Sequence, residues 1–172
     1  LVLCLFTTNE SKAQLPANSV GIGTNFASGV SGLSLAYAFS KSFDLSLNLG
    51  YVSNSQSTDD VSISTSQMTI GLGGRIFVAD TKAIDPFVSL GFSYSDAGMD
   101  LVESVSQDAT AMAFSGMFGG QTEIATNFFI YAATGFTYAS SSADQEVGTE
   151  TITSTNSVIT LGTTSVGALI YF

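Results

Sequence analysis

The chain has 172 residues, 14 acids against 4 bases, a net charge of −10 and only 10% charged residues, far below the roughly 25% usual for soluble domains. Hydrophobic residues reach 45%, yet no unbroken apolar run exceeds the six residues of Leu1–Phe6, well short of the roughly 20 residues a membrane-spanning helix needs. Disorder, a helical membrane protein and a nucleic-acid binder, which must neutralise phosphates with clustered Lys and Arg, are therefore excluded.

In chain order, LVLCLF at 1–6 followed by TTNESKA reads as the end of a signal-peptide apolar region, a polar segment and a small-residue cleavage site. Ser11-Lys12-Ala13 places small residues at −3 and −1, so cleavage before Gln14 is expected. Residues 1–13 are then a truncated signal remnant, and 14–172 are the domain. Cys4 would leave with the signal, and a single cysteine gives neither a disulfide nor a Cys-based metal site.

From Ser19 onward the sequence alternates with period two, the mark of strands with two unlike faces. Val20, Ile22, Thr24 and Phe26 oppose Gly21, Gly23 and Asn25. Leu33 to Phe39, Leu45 to Tyr51, Met68 to Val78 and Val88 to Tyr94 repeat the pattern. Three weaker candidates follow near 110–125, 128–141 and 155–172. In the last, Ile159, Leu161 and Leu169 blur the faces. The expected total is eight.

Connection lengths alternate too. Ser40–Asp44, Asp80–Asp85 and Thr126–Asn127 are short, whereas the segments around Asn54–Val61, Ala97–Ala109 and Ser141–Ser154 are long, polar and acidic. Only Ser28–Ser31 breaks the rhythm. Short turns at one end and long loops at the other describe an up-and-down barrel crossing an outer membrane. One face is Leu, Ile, Val, Phe and Tyr; the other is mostly Gly, Ser, Ala, Thr and Asn. An eight-stranded barrel has an interior just wide enough to be filled by side chains, so the small polar face suits the lumen. Phe39, Phe43, Phe87, Phe128, Phe129 and Phe172 lie beside the short turns or terminus. Phe26, Tyr51, Tyr94 and Tyr138 lie near the long-loop ends. Two aromatic girdles flanking an aliphatic belt are the expectation. A soluble ligand-binding barrel, which inverts the facing, stays open as an alternative.

The chain ends Ser165-Val-Gly-Ala-Leu-Ile-Tyr-Phe172, where Ser165, Gly167, Ile170 and Phe172 look like a C-terminal assembly signal. With "LAYAFSKSFDLSLNLGY" (35–51) and "IDPFVSLGFSY" (84–94), the chain resembles the OmpA/OmpX-type eight-stranded outer-membrane barrels. That resemblance implies an all-β, antiparallel, eight-stranded transmembrane barrel in a bacterial outer membrane. It also implies outer-membrane lipid and the barrel assembly machinery as partners. A barrel without the peptidoglycan-binding domain that follows some members is expected.

Chemistry is sparse. The sequence has no histidine, so a Ser-His or Asp-His mechanism is unavailable. Gly71-Leu-Gly-Gly74 lacks the spacing of a nucleotide loop and reads as glycines easing strand packing. Asp59-Asp60 and Asp96/Asp100/Glu103 lack EF-hand spacing and read as solvated acids. No catalytic residue, metal or cofactor is expected. Arg75 in strand four and Glu123 in strand six both fall on the lumen side, and an uncompensated charge there would be costly, so they are expected to pair. The functional expectation is a monomeric, non-enzymatic surface barrel whose acidic loops (57–61, 96–108, 144–150) meet an unidentified extracellular partner. A narrow channel is the alternative.

A terminal ring at the membrane edge adds only a few kcal/mol of burial (~25 cal/mol per Å²), so its use as a recognition element outweighs its packing. Deleting Phe172 should lower surface levels in cells far more than it lowers the unfolding midpoint of barrel refolded in detergent. Normal surface levels would refute the assembly-signal reading.

Overall fold

A computed structural model describes residues 15–27, 30–58, 61–79, 81, 83–101, 105–147 and 150–172; the expected signal remnant lies outside them. Eight antiparallel strands close into one ring: β1 (Ser19–Ala27), β2 (Val30–Ser40), β3 (Phe43–Thr58), β4 (Val61–Phe77), β5 (Asp85–Leu101), β6 (Val105–Ala125), β7 (Phe128–Val147) and β8 (Glu150–Tyr171). Each strand pairs with its sequence neighbours, and β8 returns to pair with β1. Closure is what the chemistry demands, because hydrocarbon supplies no partner for the N–H and C=O groups of a sheet edge.

The alternation becomes two faces. Ser34, Ala36 and Ala38 of β2 and Ser165 of β8 point inward and are buried. Leu33, Leu72 and Leu90 point outward and are exposed, Leu90 at 70%. Every strand shows large apolar side chains to the outside, a belt too continuous for a face in water. This removes the soluble ligand-binding barrel, whose large apolar residues would fill the inside.

Strand β8 explains its own blurred pattern. Gly162 has φ +75°, a left-handed conformation rarely open to other residues, and is an extra residue opposite the Gly135–Phe136 step of β7. A one-residue bulge switches the facing parity. Leu161 is therefore 80% exposed while Leu169, on the same parity in sequence, is 2% exposed in the lumen. Gly167 serves a different need. Its cross-strand partner is Tyr131, whose ring lies so close that a Cβ on Gly167 would come within 2.4 Å of it.

Strand lengths overturn the expectation of long loops. β1 and β2 have 9 and 11 residues, about what crosses a bilayer, whereas β6, β7 and β8 have 21, 20 and 22. The acidic segments are largely paired strand: β3–β4 register runs to Thr58↔Val61, β5–β6 to Leu101↔Val105 and β7–β8 to Val147↔Glu150. Cross-strand polar contacts hold them, with the Thr153 hydroxyl donating to Asp144 at 2.7 Å and Ser157 to Ser140 at 3.2 Å. The upper halves of β3–β8 extend past β1 and β2 as a curved wall, and the rim is low at β1–β2. Asp96, Asp108 and Asp144 sit on this wall; Asp59, Asp60 and Glu103 lie outside the described residues.

Arginine at Leu90 would place a charge on the lipid face near mid-height. Leu90→Arg should destabilise the barrel by about 2–4 kcal/mol in lipid refolding titrations, with Leu47→Arg and Leu72→Arg behaving alike. Unchanged unfolding midpoints at all three positions would overturn the facing.

Candidate functional site

The turn end of the lumen is closed by a polar cluster. Asp44 and Arg75 are direct cross-strand partners on β3 and β4, both facing inward. Nε of Arg75 donates to the two Asp44 carboxylate oxygens at 3.1 and 3.2 Å, and Nη2 makes a second, closer contact with Oδ2. Nη1 donates to Oε1 of Gln121 at 2.9 Å. Tyr171 on β8 completes the circuit: its oxygen accepts from Nη2 at 3.2 Å, and its hydroxyl donates to Asp44 Oδ2 at 2.7 Å. Asp44 and Gln121 are fully buried, and Arg75 and Tyr171 nearly so.

Aromatic faces surround the guanidinium. Its carbon lies 5.0 Å from the ring centre of Tyr131, 5.4 Å from Phe87 and 5.5 Å from Phe77, within cation–π range. Burying an ion pair carries a desolvation penalty that its mutual attraction offsets only when further hydrogen bonds satisfy the remaining donors and acceptors. Gln121 and Tyr171 supply such hydrogen bonds here and the three rings add cation–π contacts, while Nε2 of Gln121 itself has no partner among the described residues. Phe129, packed edge-on to Tyr171 at 5.7 Å, joins Leu15 and Leu169 in the same buried cluster.

Above this floor the lumen opens into a cup of about 330 Å³. Its walls include Asn25, Asn48, Ser93 and Thr163, and it reaches Ala27 and Gly32 at the low β1–β2 rim. Nδ2 of Asn25 donates to Oδ1 of Asn48 at 2.8 Å, linking β1 to β3 across the lumen side of β2.

Three expectations need correcting. The carboxylate paired with Arg75 is Asp44, not Glu123. Glu123 lies two residues nearer the β6–β7 turn, where Oε1 accepts the Asn127 amide at 2.7 Å, so Gln121 takes the place beside the guanidinium. By sequence Asp44 closes the expected Ser40–Asp44 turn, whereas β3 begins at Phe43 and carries Asp44 inward. Phe87 and Phe129 are not girdle rings: they share the inward face with Ser89 and Tyr131 and are 1% and 0% exposed. Turn proximity suggests an interface position, whereas strand parity decides the side.

Of the remaining aromatics, Phe26, Phe39, Tyr51 and Tyr138 stand exposed on the outer face, and Phe43, Tyr94 and Phe128 are half-buried there. Phe43 stacks on Phe39 at 5.7 Å. At the end of β8, Ser165 and Gly167 face the lumen, Ile170 and Phe172 face out, and the Phe172 amide donates to the Val20 carbonyl at 2.8 Å. Sequence reasoning missed Asp44, Gln121, Tyr131 and Tyr171; each falls on the inward parity of its strand, a signal available once the strand bounds are known.

A closed antiparallel ring with an apolar exterior and a plugged, polar interior defines a transmembrane β-barrel of the bacterial outer membrane. The chain belongs to the outer membrane protein beta-barrel domain family, whose model matches residues 7–164. Among solved structures, it is similar to the N-terminal β-barrel domain of Pseudomonas aeruginosa OprF, at 15% identity and a TM-score of 0.51, covering 91% of this chain and 98% of that one. It is also similar to Ail, the attachment invasion locus protein of Yersinia pestis, at 15% identity, coverage of 90% and 94%, and a TM-score of 0.47. A major outer membrane protein from Thermus thermophilus has 12% identity, coverage of 90% and 98%, and a TM-score of 0.48. No curated protein matches the sequence.

The pair can be tested by a double-mutant cycle in urea or guanidinium unfolding. Arg75→Met strands Asp44 and Asp44→Asn strands Arg75, each at about 3–5 kcal/mol, while the double variant should be far more stable than additivity allows. Glu123→Gln should add to Arg75→Met with no coupling. A coupling energy of zero between positions 44 and 75 would mean a wet lumen with a screened pair.

Proposed function

We propose that this barrel is a non-enzymatic surface protein that meets an extracellular partner through the strands standing above the membrane. The observation that carries the reading is the β8 edge. β8 pairs with β1 over Ser165–Tyr171 only, and from Thr151 to Thr164 it has β7 on one side and, among the described residues, no strand on the other. An unpaired edge presents a row of backbone donors and acceptors to which an extended segment can add. Residues 151–164 contain no charge and no proline, the devices that usually block such pairing. The absence of histidine from the sequence supports a non-enzymatic role. The packed floor at Arg75 supports a barrel that does not conduct, and outer-membrane lipid and the assembly machinery remain the other partners this reading requires.

Two measurements test it together. Purified protein in planar bilayers should give no steady single-channel openings; reproducible openings would establish the channel instead. Cells displaying Thr155→Lys, which charges the free edge, should adhere to matrix-coated surfaces less than wild type at equal surface level. Equal adhesion would remove the edge from the function.

A further inference from the structure

The β8 edge has a counterpart. β2 pairs with β3 no further than Gly32↔Gly50, and β1 pairs with β2 no further than Ala27↔Val30. From Ser53 to Thr58, β3 therefore has β4 on one side and, among the described residues, no strand on the other. In the ring, β1 and β2 are the two strands between β8 and β3. Where they stop, the wall has a slot two strands wide with a free edge on each side. At roughly 4.8 Å per strand step, its flanks stand about 14 Å apart along the sheet.

Both edges are open to pairing. Ser53, Asn54 and Ser55 are exposed in succession, as is every residue from Thr151 to Gly162, so both faces of these edge strands meet solvent. Ile152, Val158, Ile159 and Leu161 stand more than half exposed, apolar surface that a neighbouring strand would cover. Residues 53–58, like 151–164, contain no charge and no proline.

The charge around the slot has one sign. Nine of the 14 acids fall in 59–60, 96–108 and 144–150, and neither 42–74 nor 83–172 contains Lys or Arg. Asp96, Asp108 and Asp144 are exposed on the wall. Asp144, which accepts the Thr153 hydroxyl, stands one strand in from the β8 edge. A second copy of the chain would bring its own net charge of −10 against these acids, so a basic partner is favoured.

We propose that the slot receives a cationic β-hairpin of an extracellular protein or peptide, which enters turn first, descends along β3 and returns along β8. This rests on the β8-edge reading above and adds the second edge, the two-stranded form and the charge of the partner. β3 runs toward the rim and β8 away from it, so each strand of the hairpin lies antiparallel to the edge it meets. A single strand added to β8 would leave β3 open and present a new edge of its own, whereas two strands use every edge.

The experiment is amide hydrogen exchange of the refolded chain in phosphatidylcholine nanodiscs. The probe is a synthetic disulfide-closed hairpin peptide alternating lysine with valine and threonine; the control is the same peptide with glutamate for lysine. The cationic hairpin should bind saturably and slow exchange at least about tenfold in both 53–58 and 151–164, because pairing protects backbone amides that mere charge attraction leaves open. The acidic control should bind at least about tenfold more weakly. Asp108→Asn with Asp144→Asn should weaken the cationic hairpin about two- to tenfold in total, as exposed pairs allow, without changing which amides are protected. Protection confined to 151–164 would overturn the two-edge slot while leaving β8 as a docking strand. Protection of neither edge, or equal binding of the acidic control, would overturn the proposal, and the adhesion of Thr155→Lys cells then decides the surface role separately. Protection of both edges without peptide, rising with protein concentration, would assign the slot to a second copy and equally overturn it.

Discussion

Everything in this molecule follows from the requirement that a strand in hydrocarbon find a partner for each backbone group. Eight strands meet it by closing on themselves, and the closure is narrowest where β1 meets β8. That seam has seven residue pairs, from Gly21↔Tyr171 to Ala27↔Ser165, against twenty between β7 and β8. The seam limits the height of the complete cylinder. Above it the sheet continues as an open wall, which only water allows. The same closure sets the radius, and a ring of eight strands leaves an interior that side chains must largely occupy.

How the interior is occupied differs with height. Near the turns, Phe77, Phe87, Phe129 and Leu169 pack as in a soluble core and enclose one ion pair. Higher up, small residues leave a cup. An all-apolar floor would fill the volume as well, and such a replacement is often neutral or stabilising elsewhere. Arg75 and Asp44 give the floor directionality instead: the guanidinium reaches three strands besides its own, through Asp44 on β3, Gln121 on β6 and Tyr171 on β8. Apolar contacts do not dictate register in that way.

Legibility in the sequence tracked contrast between faces. Leu33 to Phe39 and Val88 to Tyr94 were readable because one side meets lipid and the other does not. Above the membrane both sides meet water, so Ser140, Thr153 and Ser157 carry no alternating signal, although they are paired strand held by hydroxyl contacts. Leu169 was ambiguous because its facing depends on the bulge at Gly162, in the interior of β8 and away from any turn. The ion pair was half legible: a lumen arginine needs a carboxylate, but Asp44 and Glu123 both stand near a strand end. The choice rests on register, which places Asp44 directly opposite Arg75.

Tyr171 gives the floor a history. Its hydroxyl holds both Asp44 and Arg75, and it arrives only when β8 docks against β1. In an open sheet the two charges face water, where an ion pair contributes little. After docking they lie buried, and parting β8 from β1 strips a hydrogen bond from each. The network is complete only with that joint closed, so parting the joint has to break it. Interactions absent from the transition state slow unfolding without slowing folding. Tyr171 in this sense sets a latch at the joint where the first and eighth strands meet.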